Sequence, residues 1–406
     1  MKLGPAPKTY MVDGHRTVPP MITLERVEPL CDEVGVTQIT DITDLDRIGI
    51  PVFSILRPTA GMGTVPLYKG KGASKEQAKV SAIMETLERF SAEPDHATLE
   101  RDFIESKLAT GDAVDPRELI LPQRTAFHIM HQPVAWTRGY DLLQEEEVWV
   151  PASAVFHPYS SNLDMPLFRT NSNGLASGNV LEEAVLHALC EVIERDAWSI
   201  CEFRRSTRAD IDVPEDNGLL SDLLRRFECN GINIWLKDLT SEVGIPTIGA
   251  SCDDIETKDP NMLTMGIGTH LNPEVAAIRA LTEVAQSRAT FLHMEQENPD
   301  VGKPNRQIGY RRVKSLNKMW FMDSGERRGI DAFPHLDTPD IFDDIQVVLD
   351  ELSRREFRRV VAVDLTDPRL DIPVVRIVVR GMEVYAVDDE RVGPRLMGTG
   401  GGGHGI

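Results

Sequence analysis

The sequence predicts an α+β protein in which repeated sheet-plus-helix units pack around a central site. Three observations lead to that class. The chain has 406 residues and 41% hydrophobic content, enough for two or three domains or for one large fold with repeated parts. Short apolar runs of strand length alternate with longer amphipathic stretches of helical period. One layout occurs three times: a short turn of glycine or small residues, then an amphipathic helix.

Taken in order, residues 1–60 mix polar loops with short apolar runs and form an N-terminal segment. Within it Thr23–Val34 reads as a helix kinked or broken at Pro29, and Ile50–Leu56 as a strand. The first turn is Gly70-Lys71-Gly72-Ala73-Ser74, followed by a helix over Lys75–Ala92. Residues 95–170 alternate short strands and loops, with a strand at Glu147–Val155. The second turn runs from Asn173 to Gly178, and its helix, Val180–Ser199, is given Asn179 as its cap. A helix at Leu219–Cys229 and strands at Asn233–Leu239 and Pro246–Ser251 come next. The third turn is Gly266–His270; Asn272 and Pro273 then supply a cap and first-turn pair for a helix over Pro273–Leu292. Asn298–Asp340 is polar, broken by Pro and Gly, and reads as a long loop or insertion. A helix at Ile341–Phe357 and strands at Arg359–Val363 and Val374–Val379 complete a body spanning 61–395. The glycine-rich end, 396–406, cannot pack on its own and reads as a flexible tail that carries His404 with it.

Composition narrows the function. With 64 acidic and 44 basic side chains the formal net charge is -20, a surface that repels phosphate backbones and anionic membranes and argues against nucleic acid or membrane as partner. One bound nucleotide stays open, since a local cationic pocket or Mg²⁺ reverses the sign at a site. No apolar run approaches a membrane span and the N-terminus lacks a signal peptide, which suits the cytoplasm. Cys31, Cys190, Cys201, Cys229 and Cys252 form no CxxC pair, as expected of reduced thiols. Cys190 reads as buried and structural, and Trp198 and Phe203 as core.

Each recurring helix carries a polar stripe. The first has Ser81, Glu85 and Glu88. The second has His187, Glu191 and Glu194, with Glu183 a turn earlier. The third has Arg279, Glu283 and Gln286. All three are spaced by four and then three, which places each set on one helix face. The stripes also start nine positions after Gly72, Gly178 and His270. Singly, such a stripe is a solvated face. Repeated in register among Ala78, Ala82, Ile83, Met84 and Leu87, or Ala184, Leu186, Ala188, Leu189 and Ile193, it belongs to a buried helix. Buried carboxylates need cations. Arg89, Arg195 and Arg279 are near in sequence, and Mg²⁺, which bridges carboxylates and phosphates, would balance the rest. The turns at the helix starts suit phosphate. The arrangement argues for a Mg²⁺–nucleotide site between helices, although none of the turns is a Walker A loop.

These residues resemble the YcaO family. Gly70-Lys71-Gly72 with Ser81, Glu85, Glu88 and Arg89 is similar to its first signature. Asn173-Gly174, Ala176 and Gly178 with Glu191, Glu194 and Arg195 resemble the second, and Gly266, Gly268, His270 and Pro273 with Arg279, Glu283 and Gln286 the third. The resemblance covers about residues 10–390 and implies the YcaO fold. It implies ATP- and Mg²⁺-dependent transfer of a phosphoryl group to a peptide amide oxygen, followed by attack of a nucleophile at the amide carbon. By the same resemblance Glu85, Glu88, Glu191 and Glu194 would hold Mg²⁺. Arg16, Thr23, Lys71, Ser81, His187, Arg195, Arg279, Glu283 and Gln286 would bind the nucleotide, and Glu191, Arg279 and Glu283 would serve catalysis. His187 departs from the usual residue at its position.

The chain has neither a proline-alternating end nor a fused leader-binding domain. Both departures fit a stand-alone member similar to those of methanogens. For these the resemblance implies thioamidation of a glycine in the methyl-coenzyme M reductase alpha subunit, with a sulfide source, a TfuA partner and a homodimeric enzyme. The competing readings are an azoline-forming cyclodehydratase and a non-catalytic ATP-binding regulator or scaffold.

Overall fold

In the computed structural model, which describes residues 1–61, 65–129 and 132–398, each recurring helix lies on the strand that precedes it. The chain enters through a small hairpin, Tyr10–Met11 paired with His15–Arg16. Helix α1, Pro20–Val27, follows; Pro29 then closes it into a single tight turn, Glu28–Cys31, so the first helix is shorter and earlier than its spacing predicts. Strands Gln38–Asp41, Val52–Leu56 and Leu67–Lys71 form an antiparallel sheet that carries helix α2, Lys75–Ser91. Ser74 caps α2 by accepting from the Gln77 N–H.

The second unit carries the longest apolar face. Its helix α3, Leu181–Arg204, packs on Leu175–Ser177 and on Val374–Val379. Here the expected cap fails. Val180 is the N-cap, and Asn179 instead donates its backbone and side-chain N–H groups, each at 2.9 Å, to the Glu183 carboxylate reaching back one turn. The Asn179 side-chain oxygen is already taken by the Thr23 hydroxyl, at 2.8 Å. In the six-stranded sheet around this unit, Val360–Asp364 and Val374–Val379 are laid between Val134–Asp141 and Leu175–Ser177. In the third unit, strands Met265–Thr269, Thr247–Asp254, Ile232–Asp238, Asp210–Asp212 and Arg327–Gly329 form a sheet in that order. Helices α4, Gly218–Glu228, and α5, Pro273–Glu297, cover it. Asn272 caps α5 as expected, accepting from the Glu274 and Val275 N–H groups. Helix α6, Ile341–Arg354, closes the core against α3.

Of the glycines ahead of the helices, Gly174 does turn the chain, with φ +79°, but Gly70, Gly266 and Gly268 do not. Gly70 ends a strand beside Lys71, and Gly266 and Gly268 lie inside one. A Cβ on Gly70 would stand 2.0 Å from the Ala82 nitrogen, and one on Gly268 would stand 2.2 Å from the Ala276 oxygen. Their absent side chains let strand and helix backbones touch.

Two further expectations are corrected. The 298–340 stretch is not a loop: it holds short helices Lys303–Ile308, Tyr310–Leu316 and Lys318–Phe321 and the strand Arg327–Gly329. Trp320 from this stretch is fully buried. Phe203 is 39% exposed and meets Tyr385 edge-on, whereas Trp198 packs beside Cys201 and Cys190 is buried. His404 and the tail from 399 onward lie outside the described residues. Among the described residues, no helix is long and apolar enough to cross a membrane.

Candidate functional site

The three polar stripes face one cavity of about 350 Å³. Four stretches of chain wall it: the hairpin with α1, the Leu67–Lys71 strand with α2, the start and middle of α3, and α5 with the His270 turn before it. All of the residues singled out above reach its wall: Arg16, Thr23, Lys71, Ser81, Glu85, Glu88, His187, Glu191, Glu194, Arg195, Arg279, Glu283 and Gln286. Helical spacing aligned each set, and backbone contact through Gly70 and Gly268 brings α2 and α5 down onto their strands.

Acids and cations alternate around the wall. Arg89 lies 3.4 Å from Glu85 and 3.7 Å from Glu88, and Arg195 lies 3.6 Å from Glu194. Lys71 donates to Glu283. Glu194 also accepts from the Thr269 backbone N–H at 3.0 Å, and Glu88 from the Ser177 hydroxyl at 3.4 Å. Arg279 donates to His187 at 3.1 Å, while its own Nε is buried without a partner. Burial first, and then the Arg279 charge, holds the His187 pKa well below its ordinary value, so the imidazole is neutral and accepts that bond.

The acids outnumber what these cations neutralise. Burial drives the Glu88 carboxyl well above its ordinary pKa, with Glu191 and Glu85 adding repulsion that Arg89 only partly offsets. Burial does the same to Glu194, with Glu283 and Glu191 repelling it. Glu283 goes the other way, because Lys71 and Arg195 outweigh its burial. Carboxyls pushed toward their neutral form mark a local shortage of positive charge, which a divalent cation would supply. Among the described residues, no three Asp, Glu, His or Cys side chains close into a cage for a metal. Mg²⁺ would take its remaining ligands from phosphate and water. The unpartnered Arg279 Nε and the cationic groups of Arg16, Lys71 and Arg195 on the same wall fit a polyphosphate.

The N-terminal segment is tied into this wall by Glu183. Its carboxylate accepts from the Thr17 backbone N–H and hydroxyl, both at 2.6 Å, which places Arg16 at the cavity. Sequence reasoning missed Asp13, His15, Lys69 and Gln77, which also line it. Lys69 was within reach, since it stands two residues before Lys71 on the same strand face. Burial lowers its ammonium pKa against the pull of Glu85. Asp13 and His15 lie on a two-residue-strand hairpin with no period to expose them; His15 packs edge-on to His270 at 4.6 Å.

Comparison with known proteins agrees with this geometry. A family model described as YcaO cyclodehydratase, ATP- and Mg²⁺-binding, matches residues 69–383. An uncharacterised protein of Methanothermobacter thermautotrophicus is 46% identical over 94% of this chain and 98% of its own length. A protein of Rhizobium leguminosarum bv. trifolii, described as lying in the tfuA 3′ region, is 30% identical over 91% of this chain and 89% of its own. A solved structure, YcaO from Methanopyrus kandleri bound with AMPPCP and Mg²⁺, superposes with a TM-score of 0.80 at 32% identity, covering 96% of this chain and 98% of that one.

Proposed function

The chain belongs to the YcaO family, and from that premise we propose that it is an ATP- and Mg²⁺-dependent peptide thioamidating enzyme. It phosphorylates the oxygen of a backbone amide and replaces that oxygen with external sulfur. The observation that carries this reading is the cavity on which all three stripes and the unpartnered Nε of Arg279 converge. The relative in the tfuA region supports sulfur as the incoming nucleophile and a TfuA protein as partner. The target in this reading is a glycine of the methyl-coenzyme M reductase alpha subunit, consistent with the origin of the relatives from Methanothermobacter and Methanopyrus.

In this reading Glu85, Glu88, Glu191 and Glu194 hold Mg²⁺, whose charge offsets that of the phosphates during transfer. Arg16, Thr23, Lys71, Ser81, Arg195 and Gln286 seat the nucleotide, and the N-terminal segment contributes through Arg16 and Thr23. Arg279, oriented by His187, and Glu283, paired to Lys71, face the transferring group. Fixed charges of this kind stabilise developing charge without reorganising. The balance is amide plus ATP plus hydrosulfide giving thioamide, ADP and phosphate. The amide oxygen leaves in the phosphate, and the proton brought by hydrosulfide leaves with it.

The test is to incubate the full chain with Mg²⁺–ATP, hydrosulfide and a glycine-centred peptide, adding a TfuA protein in a parallel arm. The expected product has gained the mass difference between sulfur and oxygen, and phosphate is released in equal amount. Loss of one water would instead support the azoline reading, which the family model's cyclodehydratase description favours. Nucleotide binding without any phosphate release would support the scaffold reading.

A further inference from the structure

Behind the nucleotide cavity lies a second, smaller space of about 50 Å³, lined by Phe168, Asn171, Asn173, Val192, Arg376 and Arg391 among others. The two spaces share walls. Ser172 faces the larger one while Asn171 and Asn173 face the smaller, and on α3 Glu191 faces the larger while Val192 faces the smaller. Two guanidiniums line the small space and each residue is only 5% exposed. Neither forms an ion pair with a carboxylate among the described residues. Arg376 donates to the backbone oxygen of Asn171 at 2.8 Å and to its side-chain oxygen at 3.5 Å, but its Nε is buried without a partner. Arg391 is held by the carbonyls of Ile120 and Leu119 and stacks on Phe168. Burial lowers both guanidinium pKa values to about 10, which leaves them charged at neutral pH. Glu191 and Glu88 act on Arg376, and Asp388 on Arg391, only from beyond ion-pair distance, so a small anion in direct contact would compensate these buried charges better.

The volume excludes a nucleotide or a peptide and admits a small inorganic anion. The polar groups discriminate further. The unpartnered Arg376 Nε is a donor, while the side-chain oxygen of Asn173, also buried without a partner, is an acceptor. A bare halide satisfies the first and leaves the second unmet. Hydrosulfide satisfies both, its sulfur accepting from Arg376 and its S–H donating to Asn173.

We propose that this pocket binds hydrosulfide, the sulfur co-substrate, one wall away from the amide it will attack. This rests on the thioamidating reading for its purpose, though not for its chemistry.

The experiment titrates sodium hydrosulfide into the full-length protein by calorimetry, without oxygen or chloride, with inorganic phosphate titrated in a parallel arm. One hydrosulfide per chain is expected. Asn173→Asp places a near-isosteric negative charge in the lining that Arg376 shares. It is expected to weaken hydrosulfide binding about tenfold or more, the worth of a lost charge-assisted hydrogen bond, and to leave Mg²⁺–ATP affinity unchanged. Arg376→Gln is expected to weaken hydrosulfide binding as well. No hydrosulfide binding, binding that Asn173→Asp leaves unaltered, or binding of phosphate alone overturns the proposal. The two readings fail differently. If the thioamidating reading is wrong, hydrosulfide binds and no thioamide forms. If the pocket is wrong, thioamide forms with a KM for hydrosulfide that Asn173→Asp does not move.

Discussion

Glu191 and Glu194 stand one helical turn apart and are held very differently. Glu194 is 3% exposed, pairs with Arg195 and accepts from the Thr269 N–H. Glu191 is half-buried and, among the described residues, accepts no hydrogen bond and makes no ion pair. Glu191→Gln is therefore expected to leave the melting temperature near that of the parent and to weaken Mg²⁺–ATP binding by about tenfold or more. Glu194→Ala orphans the Thr269 N–H and Arg195 and is expected to cost about 1–3 kcal/mol of stability in denaturant unfolding. His157 offers a pH test away from the stripes. Burial, then the charges of Arg89 and Arg376, lowers its pKa from 6.5 to about 4. The unfolded chain takes up this proton near 6.5 and the folded chain does not, so the stability it contributes is full above that pH and is lost as pH falls toward 4. From pH 7 to 5 the parent should lose stability relative to His157→Asn, as read by urea unfolding. At this scale the sequence is legible wherever a period exists. The four-then-three spacing exposed Glu85, Glu191 and Glu283, whereas Asp13 and His15 are placed by a hairpin pairing that only the fold reveals.

At the scale of elements, the glycines explain why the repeat is so regular. Strand and helix touch backbone to backbone at Gly70 and Gly268, so the stripe's height above its sheet is set by main-chain contact rather than by side-chain packing. Gly70→Ala would push a methyl group into the Ala78 oxygen and Ala82 nitrogen of α2. It is expected to cost at least about 2 kcal/mol, seen as a lowered melting temperature or loss of soluble protein. Long helices were readable because periodicity accumulates over several turns. The stretch 298–340 was not, because helices of four to seven residues carry too few turns to show a period. Tertiary contacts decide them, as with Trp320 buried under the strand Thr247–Asp254, its backbone oxygen accepting from Ser251 and its ring facing Gly249. The glycines themselves misled for a related reason: a residue that lets backbones approach reads in sequence like one that lets them turn.

For the molecule as a whole, charge is managed by burying it in networks that join distant parts. Arg288 on α5 is fully buried and donates to Asp46, at 2.7 Å, and to Asp254, at 3.2 Å; Arg47 donates to Asp254 from outside at 2.8 Å. This ties the N-terminal sheet's connection to the third unit's sheet through α5. Arg288→Leu strands the buried Asp46 and leaves Asp254 to Arg47, and is expected to cost about 3–5 kcal/mol in chemical denaturation. No composition argument locates such a network, because Arg288 and Asp46 are 242 residues apart in the chain.

The interleaved sheet has a further meaning. Among the described residues no wall residue of the nucleotide cavity comes after Gln286, yet Val360–Asp364 and Val374–Val379 sit between strands from the first half of the chain. A polypeptide divided within Lys303–Phe321 would thus yield one piece holding every described residue of the cavity wall but a gapped sheet, and another holding the missing slats. Turnover would then report the reunion of the two pieces, which makes this protein a natural candidate for a split-enzyme sensor.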